Sequence, residues 1–94
     1  MRTLVVGDIH GALLALEQVL ERAGFEAKSD RLISLGDVSD GLPDTAECVE
    51  LLMDIPNLVA IRGNHDIWTQ EYLETSETHK MWTVQGGQAT IDSY

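Results

Sequence analysis

Three short stretches hold the residue types from which a catalytic or metal site is built: Gly7-Asp8-Ile9-His10-Gly11, Gly36-Asp37-Val38-Ser39-Asp40-Gly41 and Gly63-Asn64-His65-Asp66. Each brings carboxylate, imidazole or amide donors. In an extended segment Asp8 and His10, two residues apart, point the same way, so one carboxylate and one imidazole can reach a single cation. The flanking glycines Gly7, Gly11, Gly36 and Gly63 permit positive φ or close backbone approach where the chain leaves a strand abruptly. Carboxylates gathered in one place cannot all stay ionised cheaply, because like charges raise one another's pKa, and a divalent cation removes that conflict. Two such cations sharing Asp37, roughly 3.5–4 Å apart, would add four positive charges and draw in a phosphate. A mixed carboxylate, imidazole and amide set suits Mn, Fe, Zn or Co better than Ca or a thiolate-loving metal.

The elements around these stretches explain how they could meet. Leu4-Val5-Val6 is short, apolar and without alternation, which predicts a strand buried on both faces. Ala12, Leu13, Leu16, Val19, Leu20 and Ala23 recur at helical spacing, with Gly24 as a stop. Arg31 to Leu35 predicts a second strand, Thr45 to Asp54 a second helix between Pro43 and Pro56, and Leu58 to Ile61 a third strand. A third helix is predicted from His65 to about Thr75. The stretch from Ser76 to Tyr94, polar and with Gly86-Gly87, reads as a loop with a strand near Thr90. Strands alternating with helices imply right-handed crossovers and a parallel sheet with helices packed on its faces, an α/β fold. Every strand then ends at the same edge, where open α/β sheets place their ligands. The three donor-bearing stretches follow the three strands, so they share that edge.

Composition narrows the partners. The 94 residues carry 16 Asp plus Glu against 6 Lys plus Arg, a net charge of −10. Such a balance repels phosphate backbones and anionic lipid, which argues against nucleic-acid binding and against a membrane-surface role. No apolar run approaches the roughly 20 residues needed to span a bilayer, and none reads as a signal peptide, so a cytoplasmic location is expected. Cys48 is the only cysteine, which excludes an intrachain disulfide and a multi-cysteine zinc site. With 44% hydrophobic residues the chain can bury a core, and disorder is not expected.

In order and spacing the three stretches resemble the motifs of the calcineurin-like metallophosphoesterases, specifically the phosphoprotein-phosphatase branch and its bacterial relatives. Gly7-Asp8-Ile9-His10-Gly11 resembles the first motif, Gly36-Asp37 with Asp40 the second, and Arg62-Gly63-Asn64-His65-Asp66 the third. Trp82, Gly86-Gly87, Thr90 and Ser93-Tyr94 are similar to a segment of bacterial members. The resemblance implies that Asp8 and His10 hold a first metal, Asp37 bridges two, and Asn64 holds the second. It also implies that His65 is the general acid, oriented by Asp40, while a metal-bridging hydroxide attacks a phosphomonoester or phosphoanhydride. The implied cofactors are two divalent ions, manganese first among Mn, Fe, Zn and Co. The implied partner is a phosphorylated substrate: a phosphoprotein, a nucleotide or a small phosphoester.

Two departures from the family pattern matter. The arginine that follows the second acid of motif two is replaced by Gly41-Leu42, which removes a bidentate phosphate contact. The family's later histidine ligands, in a Gly-His-x-His motif, have no counterpart among His10, His65 and His79. Residues 1–94 are therefore expected to form the N-terminal half of a metallophosphoesterase domain, the parallel βαβαβ half of its α/β sandwich without the second sheet. That half should expose apolar surface, hold at most one metal well and turn over slowly alone.

A rival reading is a non-catalytic metal-binding or interaction module that keeps the half-site. A receiver-like signalling domain fits less well, because the chain has no Lys after a late strand and such a domain needs no imidazole. Blander roles also compete residue by residue. Asp8, His10 and Asp37 could be ordinary loop residues capping helix starts, Asn64 and Asp40 turn formers, His65 a helix-start or core residue, and Asp44 and Asp66 first-turn helix acids. Arg62 reads as a structural ion-pair partner, and Cys48, Trp68, Tyr72 and Trp82 as packing residues.

Overall fold

The computed structural model describes residues 1–78 and 80–94; His79, to which the sequence assigns no role, lies outside them. Strand β1 (Thr3–Val6) leads into α1 (Leu13–Arg22), β2 (Arg31–Ser34), α2 (Thr45–Met53), β3 (Leu58–Ala60) and α3 (Asn64–Thr75). These bounds lie within a residue or two of those the pattern predicts, the usual uncertainty of helix and strand ends. Gly24 (φ 65°) ends α1 as expected, its N–H donating to the Glu21 carbonyl at 3.0 Å.

The three strands are parallel in the order β1-β2-β3. Their register aligns Leu4, Leu32 and Leu58 in one row and Val5, Ile33 and Val59 in the next. The leucine row faces the core, with Leu16 of α1, Cys48 and Leu52 of α2, and Ile9 and Ile55 from the adjoining loops. Here the structure corrects the expectation of helices on both faces. Both right-handed crossovers run in the same direction along the sheet, so α1 and α2 land on one side. The valine row stays largely uncovered: Val5 is 60% exposed, Val59 44%, and Ile33 is half-buried. The pattern of Leu4-Val5-Val6 predicts burial on both faces, but in β1 only Leu4 and Val6 pack against the core and Val5 does not; the exposed row is the apolar surface expected of a half without its second sheet.

At the amino edge of the sheet, Asp30 fastens the start of β1 to the end of the α1 turn. Its carboxylate accepts from the Arg2 backbone N–H at 3.2 Å, from Arg2 Nη2 at 3.1 Å and from the Glu26 N–H at 3.0 Å. The Arg2 guanidinium also donates to the Ala23 and Gly24 carbonyls at 3.1 and 2.6 Å. The Glu26 N–H, with Arg2, holds the Asp30 carboxyl below its ordinary value against the opposing effect of burial.

From Lys80 onward the C-terminal stretch is helical, and no strand forms near Thr90. It forms α4 (Lys80–Trp82), a wide π-type turn (Thr83–Gly87) and α5 (Gln88–Ser93), with Gln85 and Gly86 outside helical geometry. This segment packs against α2 and completes it. Asp44 stands at the α2 N-cap without a side-chain bond, and Ser93 Oγ accepts the Ala46 N–H at 2.9 Å in its place. Among the described residues, no helix is long and apolar enough to cross a membrane.

Candidate metal centre and its histidine

All three donor-bearing stretches leave the sheet at its carboxyl edge, after Val6, Ser34 and Ala60. The first two are zipped together by their backbones. The Asp37 carbonyl accepts both the Ile9 and His10 N–H groups, at 3.1 and 2.9 Å, and the Val38 carbonyl accepts the Gly11 N–H at 2.8 Å. Ile9 anchors the first loop by burying its side chain in the core. His10 then adopts φ 48°, so a left-handed turn brings Asp8 and His10 together, not the strand alternation the spacing predicted. Asp37 (φ 53°) and Asp40 (φ 72°) are left-handed too. Among the described residues, three of the four non-glycine positions with positive φ are thus candidate site residues, a concentration of backbone strain typical of functional loops.

One donor atom from each of Asp8, His10 and Asp37 lies within 4.8 Å of the others, a group that could hold a metal ion. His10 Nε2 stands 3.6 Å from Asp8 Oδ2. His10 Nδ1 pairs with the Ser39 carbonyl at 2.9 Å, and a carbonyl only accepts, so the neutral ring carries its proton there and presents the Nε2 lone pair to the Asp8 side. Metal-binding histidines are commonly oriented by such a carbonyl. Asn64 is exposed at the first residue of α3. Its neighbour His65 donates its backbone N–H to Asp37 Oδ1 at 3.0 Å, which ties the third stretch to the second. A Cβ on Gly63 would collide with that Asp37 carboxylate, and one on Gly36 (φ 103°) would sit 2.5 Å from the Gly63 nitrogen. Those two glycines let the loops close on each other. Gly7, by contrast, has open space around it and no steric need for glycine.

Beside the Asp8, His10 and Asp37 group, the His65 ring meets the His10 ring edge-on at a centroid distance of 4.9 Å. Its Nδ1 lies 2.9 Å from Asp40 Oδ2, and Asp40 is completely buried. The structure therefore brings Asp8, His10 and Asp37 into one group, and His65 and Asp40 into a bonded pair next to it.

Other residues take roles the sequence does not show. Asp66 is a first-turn acid of α3, accepting the Gly63 N–H at 3.0 Å, but it also accepts from the backbone of the second stretch: Asp37 at 2.6 Å, Val38 at 2.8 Å and Ser39 at 3.4 Å. The three-residue offset from Gly63 signals the first bond; nothing local signals the rest. Arg62 pairs with a neutral partner, Gln70 Oε1 at 2.6 Å, and not with a carboxylate as expected. Gly41 has φ 106°, so a side chain there would be strained as well as unlike the family's arginine. The Cys48 thiol, fully buried, is pushed up to about 11 by burial and by the acids Asp44, Glu47 and Glu17, which removes it from nucleophilic or ligand chemistry.

Donors from the first two strand tips thus share one group, and the third stretch joins it through the His65 N–H on Asp37 and the His65 ring beside His10. The calcineurin-like phosphoesterase family model matches residues 1–91, and the chain belongs to that family. It is 36% identical to serine/threonine-protein phosphatase 1 of Salmonella typhimurium over 88% of the chain and 38% of the relative. It is 38% identical to serine/threonine-protein phosphatase 2 of Escherichia coli over 94% of the chain and 39% of that protein. A symmetrical bis(5'-nucleosyl)-tetraphosphatase of Pseudomonas entomophila is 41% identical over 71% of the chain and 24% of its own length. The crystal structure of a metallophosphoesterase from Sphaerobacter thermophilus superposes with a TM-score of 0.61 at 40% identity, covering 69% of the chain and 26% of that structure. The chain thus spans about two-fifths of the phosphatases it matches.

Proposed function

We propose that the chain forms the first half of a metal-dependent phosphoesterase site, acting on a phosphoprotein, a dinucleoside polyphosphate or a related phosphoester. The observation that carries this reading is the Asp8, His10 and Asp37 group within 4.8 Å, flanked by a His65 ring whose Nδ1 is bonded to buried Asp40. In the proposal Asp8, His10 and Asp37 would hold a first ion, and Asp37 with Asn64 would serve a second. The donor set fits: two carboxylates, an imidazole locked by Ser39 and an amide suit Mn, Fe, Zn or Co, with manganese the first candidate. Divalent ions held there would neutralise phosphate charge and lower the pKa of bound water.

The chain's own residues do the rest. Ser39 fixes the His10 ring, and the His65 N–H fixes Asp37 Oδ1. Asp40 takes the Nδ1 proton side of His65, which leaves Nε2 to hold a proton and give it to the departing oxygen. With Gly41-Leu42 after Asp40, that position supplies no bidentate phosphate contact.

Calorimetric titration with Mn²⁺ tests the ligand set. Asp37→Asn should weaken binding by at least about 10-fold, the usual scale for a lost ligand or its support. Manganese-dependent hydrolysis of p-nitrophenyl phosphate, by the chain alone or mixed with a polypeptide bearing the Gly-His-x-His ligands, tests the chemistry. A chain that binds Mn²⁺ no better than Asp37→Asn overturns the reading.

A further inference from the structure

The Asp40 carboxylate is held by more than His65. Its Oδ1 accepts from Thr90 Oγ1 at 2.5 Å and Thr69 Oγ1 at 3.5 Å, and its Oδ2 accepts from Trp82 Nε1 at 2.6 Å as well as facing His65 Nδ1. Thr90 Oγ1 in turn accepts the Asp40 backbone N–H at 2.8 Å, so one hydroxyl holds both the main chain and the side chain of a left-handed residue. Trp82 and Thr90 are 1% and 0% exposed. An indole N–H can only donate, so it occupies one Oδ2 direction and leaves the other to His65. The backbone that delivers these groups is shaped for the purpose. Gly86 (φ 110°) carries its carbonyl to the Gly41 N–H at 3.1 Å, and a Cβ there would lie 2.6 Å from the Gly41 nitrogen. A Cβ on Gly87 would strike the Trp82 ring at 2.5 Å.

We infer that Trp82 and Thr90 are positioning residues for His65: they fix the rotamer of Asp40, and Asp40 fixes the tautomer and orientation of the imidazole. The C-terminal helical segment is on this account part of the site, although none of its residues belongs to the ligand group. The inference rests on the proposed role of His65, but its structural half stands apart from any activity. A carboxylate gripped on both oxygens has no freedom to swing, and the neutral ring it faces keeps its one proton on Nδ1, so that Nε2 is the atom that gains and gives up the second proton. A core residue chosen only for bulk would need neither the indole N–H nor the threonine hydroxyl.

The test uses the metal-free 94-residue chain and long-range ¹H–¹⁵N NMR of the His65 ring at a pH where the ring is neutral, with His65→Ala for assignment. The wild type should show the Nδ1–H tautomer. Trp82→Phe and Thr90→Val should each raise the population of the other tautomer at least about 3-fold, whereas Thr90→Ser, which keeps the hydroxyl, should resemble the wild type. The threonine pair decides the matter even if Trp82→Phe does not fold. An unchanged ring in folded Thr90→Val, with only a lower melting temperature, would overturn the inference and leave a purely structural role.

A second readout applies wherever hydrolysis is obtained: Thr90→Val should slow phenyl phosphate, whose leaving group needs a proton, about 10-fold more than p-nitrophenyl phosphate, with KM unchanged. Equal slowing of both esters overturns the inference. Absence of any hydrolysis with the expected tautomer shift counts against the proposed function while supporting the positioning role.

Discussion

Asp30 and Asp40 are buried aspartates at opposite edges of one small sheet, and their partners divide them. Asp30, at the amino edge, faces a permanently charged guanidinium and two backbone N–H groups, all serving to close the chain on itself. Asp40, at the carboxyl edge, faces an indole, two hydroxyls and an imidazole, and only the imidazole looks onward to other donors. A carboxylate paired with Arg has its charge answered locally and can act only as a clasp. One satisfied by neutral donors keeps its charge for the group that can change protonation. Burial alone does not separate the two; the chemistry of the donors does.

The comparison breaks most visibly at Asp40. Asp40→Ala leaves the buried Trp82 Nε1, Thr90 Oγ1 and His65 Nδ1 without their acceptor. We expect a loss of about 3 kcal/mol in urea unfolding, from several orphaned donors. Wherever hydrolysis is measured, we expect a further fall of about 100-fold, the scale of a misplaced general acid. A variant as stable as the wild type would mean that the donors find water and that Asp40 is not a hub.

Asp30 sharpens it with an effect on stability alone. The folded carboxyl is held below its unfolded value, so its contribution is fully present above the unfolded pKa of about 3.9 and disappears as pH falls through the folded value. Urea midpoints followed from neutral to acid pH should show Asp30→Asn less stable than the wild type at neutral pH. The two curves should converge at acid pH, and Mn²⁺ affinity should not change. A constant gap at all pH values would deny the ionic part of the clasp; a loss of metal binding would deny that the two edges are independent.

The legible part of this molecule is the part that local rules govern. Apolar runs and helical spacing place β1 to β3 and α1 to α3 because each is a repeat of short period, and strand ends then carry Asp8, Asp37 and Asn64 to one edge. Sheet order is not a local property, so the strands' own pattern does not show that both helices pack on one side; the exposed apolar surface is expected only from the resemblance, and Val5 and Val59 are where it lies. The helices of the tail are hidden for a related reason. Gly86-Gly87 and Thr90 look like a loop and a strand by propensity, but Gly86 is a kink between short helices and Thr90 is buried for its hydroxyl, both fixed by contacts with residues some 50 positions away. Trp82 read as packing because an indole's N–H leaves no trace in periodicity. His10 and Asp8 converge through a left-handed turn; His is enriched in that region, but such positions are too uncommon for the residue type alone to foretell the turn.

The smallest effect is expected at the outer rim of the clasp, where Arg2 is more than half exposed. Arg2→Lys keeps the charge but replaces a planar fork by one ammonium, which cannot serve Asp30 and the Ala23 and Gly24 carbonyls together. The loss should stay under about 1 kcal/mol in urea unfolding, because solvent screens an exposed pair and the backbone donors of Asp30 remain. Arg2→Ala should cost more than Arg2→Lys, since it removes the charge along with the fork. If the two variants are equally stable, the charge contributes nothing, and Asp30 is held by the Glu26 and Arg2 N–H groups alone. The contrast with Asp40 would then lie in backbone against side-chain donors, not in charged against neutral ones.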